Sequence, residues 1–254
     1  RRGELGQGRW TPLEVPHPLQ CHLPRVRIVS VSCGTSHTLA ICESGCLWSC
    51  GDNSSGQLGL GNLVDSAVLQ RVQHLPGTRV VSAAAGAAHS VALTSDGSLY
   101  TWGDGSRGQL GHSQLQTMAL PVMHNAIVLL LPQKITRLDP CALSPENRVT
   151  AMSAGSYHTL VLTVGGSIMA FGANDSGCLG VGDEADRWKP TRVNLALQGE
   201  EGTCIRAVQL SCGAAHSLAL VSKQGCLEVR AAGINTWGQL GVGDCLPRAR
   251  FMPT

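Results

Sequence analysis

Four histidines each stand three residues after a glycine: Gly34-Thr35-Ser36-His37, Gly86-Ala87-Ala88-His89, Gly155-Ser156-Tyr157-His158 and Gly213-Ala214-Ala215-His216. An imidazole can ligate a metal or move a proton near neutral pH. Either role needs several groups converging on one point. Equivalent positions in successive repeats do not converge on one ion, whereas one shared structural task accounts for all four. The expected task is hydrogen bonding to backbone groups of each histidine's own turn. No residue is assigned as catalytic or as a metal ligand.

Cys42, Cys46 and Cys50 form the other suggestive cluster. Their Cys-x3-Cys-x3-Cys spacing matches no structural zinc pattern. Drawn out as a strand, positions four apart share a face but lie about 13 Å from each other, too far to chelate. Small buried residues are therefore expected. There are 11 cysteines in 254 residues, too dilute for a disulfide scaffold. A reducing intracellular setting, cytoplasmic or nuclear, is expected. The chain has no Gly-x-Ser-x-Gly elbow, no His-Glu-x-x-His and no Cys-x-x-Cys, so nothing points to hydrolase, kinase or redox chemistry. The glycine-rich turns, such as Gly56 to Gly61, lack Gly-Lys-Ser/Thr and a following helix. Glycine there serves positive φ in tight turns rather than phosphate binding. No cofactor is expected.

Composition narrows the class further. Lys plus Arg is 19 and Asp plus Glu is 17, a net charge of +2, so there is no global electrostatic reason to bind nucleic acid or anionic lipid. Charged residues make up 14%, against about 25% in ordinary soluble domains. Glycine is 31 of 254 residues and hydrophobic residues are 43%, enough apolar material for a core. The longest strongly apolar run, Ala126 to Leu131, is too short to cross a bilayer, and no membrane role is expected. No secretory signal is visible, although residue 1 is Arg.

What must position these residues is a repeat. A second motif, Gly-x-Leu-Gly, occurs as Gly3-Glu4-Leu5-Gly6, Gly56-Gln57-Leu58-Gly59, Gly108-Gln109-Leu110-Gly111, Gly177-Cys178-Leu179-Gly180 and Gly238-Gln239-Leu240-Gly241. The histidines are 52, 69 and 58 residues apart, and the last glycines of the turns are 53, 52, 69 and 61 apart. From each histidine to the next turn glycine the distance is 22, 22, 22 and 25. Two motifs keep step through the same insertions, so the unit is about 52 residues. The third unit carries 17 extra residues within positions 112–149, and the fourth about six near Gln198 to Thr203. Lengthening between fixed anchors marks surface loops.

Within a unit the apolar period is 2. His89-Ser90-Val91-Ala92-Leu93 alternates, Ser95-Asp96-Gly97 turns, and Ser98-Leu99-Tyr100-Thr101-Trp102 runs on as a strand. About four short strands per unit, repeated, read as β-propeller blades.

These motifs resemble the regulator-of-chromosome-condensation (RCC1) repeat: Gly-x-x-His-Thr/Ser, then an Asp-Gly-x-Leu-x-x-Trp-Gly hairpin, then a Gly-Gln-Leu-Gly turn. The second unit shows all three, in Gly86 to Ser90, Asp96 to Gly103 and Gly108 to Gly111. The first has Glu43-Ser44-Gly45 in its hairpin, the third has Phe171-Gly172 for Trp-Gly, and the fourth is worn, with Arg230-Ala231-Ala232-Gly233. The resemblance implies an all-β, RCC1-like β-propeller of the seven-bladed type. One domain, 1–254, is expected, with units 7–59, 60–111, 112–180 and 181–241 and a partial remainder, 242–254. The two ends, Gly6 to Val15 and Gly241 to Thr254, carry the same part of a blade, so four complete blades plus partial ends, an arc of a larger ring, are expected. Trp48 and Trp102 are expected in the core.

In such propellers the two residues between Gly and His lie on one face. Exchange factors of the family that act on a Ran-like small GTPase carry acidic residues there, and plant ultraviolet photoreceptors carry Trp-Arg. Here the pairs are Thr35-Ser36, Ala87-Ala88, Ser156-Tyr157 and Ala214-Ala215, none acidic and none Trp or Arg. Trp237 stands where Ser55, Arg107 and Ser176 stand in other units; it anchors a partner or packs a blade. The apolar insertion from Met118 to Leu131 docks a partner or adds a strand to its own blade. The expected function is a noncatalytic protein–protein interaction scaffold whose partner-binding residues are these eight loop residues and Trp237. The alternatives are a guanine nucleotide exchange factor for a Ran-like GTPase, and the substrate-recruiting part of a HERC-type ubiquitin ligase.

Overall fold

A computed structural model describes residues 2–8, 10, 13, 26–75, 79–116, 127–138, 144–200 and 202–254. It contains four antiparallel sheets of four strands. The first holds β1 (Ile28–Cys33), β2 (His37–Cys42), β3 (Leu47–Gly51) and β4 (Ser66–Arg71). The second holds β5 (Val80–Ala85), β6 (His89–Thr94), β7 (Leu99–Asp104) and β8 (Val128–Lys134). The third holds β9 (Val149–Ala154), β10 (His158–Thr163), β11 (Ile168–Gly172) and β12 (Arg187–Arg192). The fourth holds β13 (Ile205–Cys212), β14 (His216–Lys223), β15 (Cys226–Gly233) and β16 (Arg248–Pro253).

Strands pair in chain order, so each sheet is a meander, and successive sheets pack face to face. Period-2 side chains divide between the two neighbours. Leu39, Ile41 and Leu47 meet Ala92, Tyr100 and Trp102 of the second sheet, and Val91, Leu93 and Leu99 point the other way, to Val161 and Phe171 of the third. Leu160, Leu162 and Ile168 then meet Ala219, Val221 and Phe251 of the fourth. The second strands β6 and β10, sandwiched on both faces, are buried throughout.

Each histidine pairs in register with the glycine that ends the third strand: His37 with Gly51, His89 with Gly103, His158 with Gly172, His216 with Gly233. Those glycines take φ between +96° and +114°, and a Cβ on any of them would lie 2.4–2.5 Å from the carbonyl oxygen before the histidine. Only glycine fits, and this fixes the Gly of the Trp-Gly motif.

The sheets are phased differently from the sequence units. The Gly-x-Leu-Gly turn lies inside a sheet, between its third strand and its outer one, because a repeat period carries no phase of its own. Residues 242–254 are accordingly no remainder: they carry β16, the outer strand of the fourth sheet. At the other end, Gly3 to Gly8 dock on the first sheet, where Gln7 bridges to Val68 and Thr38 Oγ1 donates to the carbonyl of Glu4 at 2.8 Å. The lengthening in 112–149 is divided. Gly51, Gly172 and Gly233 pair with residues 15 positions on, whereas Gly103 pairs with Leu129, 26 on. Eleven residues are thus added before β8, and six more follow it, since Lys134 to Val149 spans 15 where Arg71 to Val80 spans nine. The apolar run Val128–Leu131 is the regular outer strand of its own sheet, with Leu130 against Gly56 of the first sheet. Residues 117–126, the rest of the expected docking loop, lie outside the described residues.

Two expectations need correction. Trp102 is fully buried, but Trp48 is only half-buried. It stands two residues before the Trp-Gly position, which Cys50 fills in the first sheet, and its strand neighbours on that side look away from the second sheet. Cys42 and Cys46 are not strung out along one strand. The chain reverses at Glu43 to Gly45, and the Cys42 amide donates to the Cys46 carbonyl at 3.0 Å. Both thiols touch the Ser44 hydroxyl, at 3.1 and 3.5 Å.

Candidate functional site

The histidines join blades rather than bracing their own turns. His37 Nε2 lies 2.9 Å from Ser90 Oγ, His89 Nε2 lies 3.1 Å from Thr159 Oγ1, and His158 Nε2 lies 2.9 Å from Ser217 Oγ, each hydroxyl belonging to the next sheet. Those hydroxyls donate to the carbonyls of Gln57, Gln109 and Cys178 at 2.7–2.9 Å. A hydroxyl has one proton. Having spent it on the carbonyl, it accepts from the imidazole, which fixes the Nε2–H tautomer. Nδ1 of His37 and of His89 is then a buried acceptor with no partner. Burial holds these histidines well below the usual range, His37 and His158 at about 4 and His89 at about 3, so all three are neutral at physiological pH. The turn itself is closed by backbone, the Gly34 amide donating to the His37 carbonyl at 2.8 Å, with its counterparts in the other sheets. Sequence spacing was blind to the partner hydroxyl because that residue sits on another blade.

The Gly-x-x-His loops are tied to one another around the axis. Thr35 N donates to Gly86 O, Ala87 N to Ser156 O, and Ser156 N to Ala214 O. The second residue of each pair is held from behind: the carbonyls of Ser36, Ala88, Tyr157 and Ala215 accept from Asp52, Asp104, Ala173 and Ile234 amides at 2.8–3.0 Å. Thr35, Ala87, Ser156 and Ala214 come together along one shallow groove, lined also by the strand-end residues Cys33, Ala85, Ala154 and Cys212. Ser36, Ala88, Tyr157 and Ala215 do not line it. Its only titratable side chains are the two thiols, and burial pushes that of Cys212 up to about 11. The groove offers shape and backbone polarity, with no acid–base pair. Among the described residues no group of three His, Cys, Asp or Glu is placed to hold a metal.

Two aromatics stand clear of this groove. Tyr157 is 46% exposed and Trp237 90%. Among the described residues Trp237 rests on no other sheet. In the other sheets the corresponding turn rests on the next sheet: Gly56 meets Leu130, Gly108 meets Trp188, Gly177 meets Ala249, and Arg107 bonds Asp186 at 2.7 Å. Around Gly238 nothing lies within 4 Å, because no fifth sheet follows among the described residues.

Sequence reasoning missed one charged cluster entirely. Arg230, fully buried, donates to the carbonyl of Leu195, to Glu228 at 2.5 Å and to Glu200 at 2.9 and 3.1 Å, and Lys223 also reaches Glu200 at 2.5 Å. The Lys223 ammonium, the Leu197 amide and the Arg230 guanidinium hold the Glu200 carboxyl down at about 2. Glu200 lies in the six-residue insertion, whose purpose its length alone did not reveal.

The family signature described as the RCC1-like domain spans residues 1–253. The chain belongs to that family. It is 32% identical to the ultraviolet-B receptor UVR8 of Arabidopsis thaliana over 97% of its length, and 38% identical to the human probable E3 ubiquitin-protein ligase HERC3 over 90%. It spans 62% of the former and 19% of the latter. Human WBSCR16 superimposes with a TM-score of 0.77 at 22% identity, covering 99% of this chain and 60% of that one. Prp20p of Saccharomyces cerevisiae superimposes at 0.71 and 22%, covering 91% and 51%. These likenesses establish the RCC1-like propeller fold. No helix among the described residues is long and apolar enough to cross a membrane.

Proposed function

We propose that this RCC1-like domain is a noncatalytic interaction module that captures partner proteins at the loop end of its blades. One observation carries the reading. The four Gly-x-x-His loops are locked together by backbone hydrogen bonds into a groove without catalytic side chains, and the exposed aromatics Tyr157 and Trp237 stand clear of it at the same loop end. A rigid rim with aromatic anchors binds at low entropic cost. The Tyr157→Ala, Trp237→Ala double variant is expected to lose partner capture about tenfold or more with an unchanged melting temperature. Equal capture by the variant would remove these two contacts from the interface.

A second reading has its own support. HERC3 matches over 90% of this chain but is covered over only 19% of its own length, as expected if such domains recruit substrates for a larger ligase. The exchange-factor reading rests on the likeness to Prp20p, whose binding to Gsp1p and histones is described. The absence of acidic residues from Thr35-Ser36, Ala87-Ala88, Ser156-Tyr157 and Ala214-Ala215 weighs against it. Release of labelled GDP from a Ran-type GTPase separates the two: no acceleration by micromolar protein leaves the scaffold reading standing.

A further inference from the structure

The small net charge conceals a segregation. Each sheet has a loop end, with the Gly-x-x-His loops and Gly-x-Leu-Gly turns, and a hairpin end, where second and third strands are joined. At the loop end the arginines flanking the turns are engaged: Arg2 with Asp52 at 3.0 Å, Arg107 with Asp186 at 2.7 Å, Arg187 with Asp183 at 2.5 Å and Arg248 with Asp244 at 2.6 Å. At the hairpin end Arg71, Arg79, Arg137, Arg148, Arg192 and Arg206 are exposed. None of the six forms an ion pair with a carboxylate of the described residues. Among the described residues, the carboxylates on that end have partners of their own. Glu43 faces Arg27, Asp96 accepts from Thr94 and Ser98, Glu146 accepts from Ser144, and Glu200 and Glu228 are taken by Arg230 and Lys223.

This basic face is built by the repeat. In the first three sheets an arginine precedes the first paired residue of the first strand, in Arg27-Ile28, Arg79-Val80 and Arg148-Val149, whose partners are Cys42, Thr94 and Thr163. In the longer first strand of the fourth sheet Arg206 pairs with Ser222, one residue before Ala207, which pairs with Val221. The outer strands of the first three sheets end on Arg71, Lys134 and Arg192. Because they recur with the blade, they gather at one end of all four sheets. Beside them are two equivalent grooves. One, of about 320 Å³ between the first and second sheets, is lined by Arg71 and Arg79 together with Leu47, Val72 and Leu75. The other, of about 340 Å³ between the third and fourth, joins Arg192 to Val193, Leu195 and Ile205.

We propose that the hairpin end is a second docking surface, for an acidic polypeptide segment with interspersed aliphatic residues. Its carboxylates meet the unpaired arginines and its aliphatic side chains enter the grooves. The mixture of guanidinium and aliphatic lining favours such a peptide over single-stranded nucleic acid. Bases need exposed aromatic platforms, and Tyr157 and Trp237 stand at the opposite end.

The test is fluorescence anisotropy with a fluorescein-labelled Glu- and Leu-rich peptide, an identical peptide with Gln for Glu, an oligothymidylate and anionic phospholipid vesicles. The acidic peptide is expected to bind, more weakly as salt rises, and the Gln peptide not to bind. Arg71→Gln with Arg79→Gln should raise Kd about fivefold, and adding Arg192→Gln and Arg206→Gln about twentyfold in total. Tyr157→Ala with Trp237→Ala should leave this Kd unchanged, which separates the surface from the loop-end site. The proposal is overturned if the acidic peptide fails to bind, if the variants bind it equally, or if oligothymidylate or vesicles bind more tightly. Should the arginine variants melt early, the salt dependence of the unsubstituted protein decides, since a salt-independent Kd also overturns it.

Discussion

The junction between the first two sheets and the junction between the last two meet the same packing demand with different residues. At the first, Trp102 lies under Gly59 and its Nε1 donates to the Gln57 carbonyl at 2.8 Å, with Tyr100 packed beside it. At the last, the third strand supplies only Ala232, and the ring under the turn glycine Gly180 is Phe251 from the outer strand. Where Tyr100 stands in the second sheet, the fourth has Arg230, covered by Glu200. The fourth unit looked worn because its aromatic had moved to another strand and an ion cluster had replaced an apolar contact. A motif reads the residue at a position, whereas a junction needs only a ring at a point in space.

What both junctions share is the neutral histidine, and this sets the largest expected effect. Each buried histidine has a folded pKa depressed from 6.5 to about 4 or about 3. The unfolded chain therefore binds more protons, and stability complete above about pH 6.5 is lost as pH falls toward the folded values. Between pH 7.5 and 5 we expect about 2 kcal/mol lost for each of His37, His89 and His158, about 6 in all. Urea unfolding across that range checks the slope, and a flat profile would contradict a buried neutral tautomer.

Next come the rings. Trp102→Ala and Phe251→Ala should each cost about 4 kcal/mol despite only the first being a motif residue. Hydrogen exchange should show protection lost in β6 for the former and in β14 for the latter. A much smaller effect of Phe251→Ala would break the equivalence drawn above.

The ion cluster is expected to matter somewhat less. Glu200→Gln leaves Arg230 buried with fewer countercharges, at about 2 kcal/mol, and adding Arg230→Met should restore most of the loss. Since the Glu200 carboxyl is held at about 2, below its ordinary 4.5, its contribution is full above pH 4.5 and fades as pH falls toward 2. That window opens below the histidine one and overlaps it only under about pH 4.5, so the loss between pH 6.5 and 4.5 belongs to the histidines and not to Glu200. The smallest effect is Ser90→Ala, about 1 to 2 kcal/mol, because it strands the Nε2–H of His37. Ser90→Thr should recover it, as Thr159 already fills that role at the next junction.

Much of this was legible in the residues. Period-2 alternation in His89 to Leu93, the Ser95-Asp96-Gly97 turn and the paired spacings of two motifs are local properties of the chain, and they determine strands, hairpins and repeat. Other features depended on contacts between units. The His37 to Ser90 bond, the docking of Gly3 to Gly8 on the first sheet, the exposure of Trp237 and the placement of Phe251 join residues tens of positions apart.

The amino-acid order alone thus determined that this protein is a tandem array of four-stranded blades with glycine-closed turns, because strand period and positive φ are decided within a few residues. Only the tertiary structure decided where a blade begins, which hydroxyls His37, His89 and His158 meet, and which arginines have no carboxylate partner among the described residues. Those outcomes depend on the radial stacking of sheets, which brings together side chains that no spacing along the chain relates.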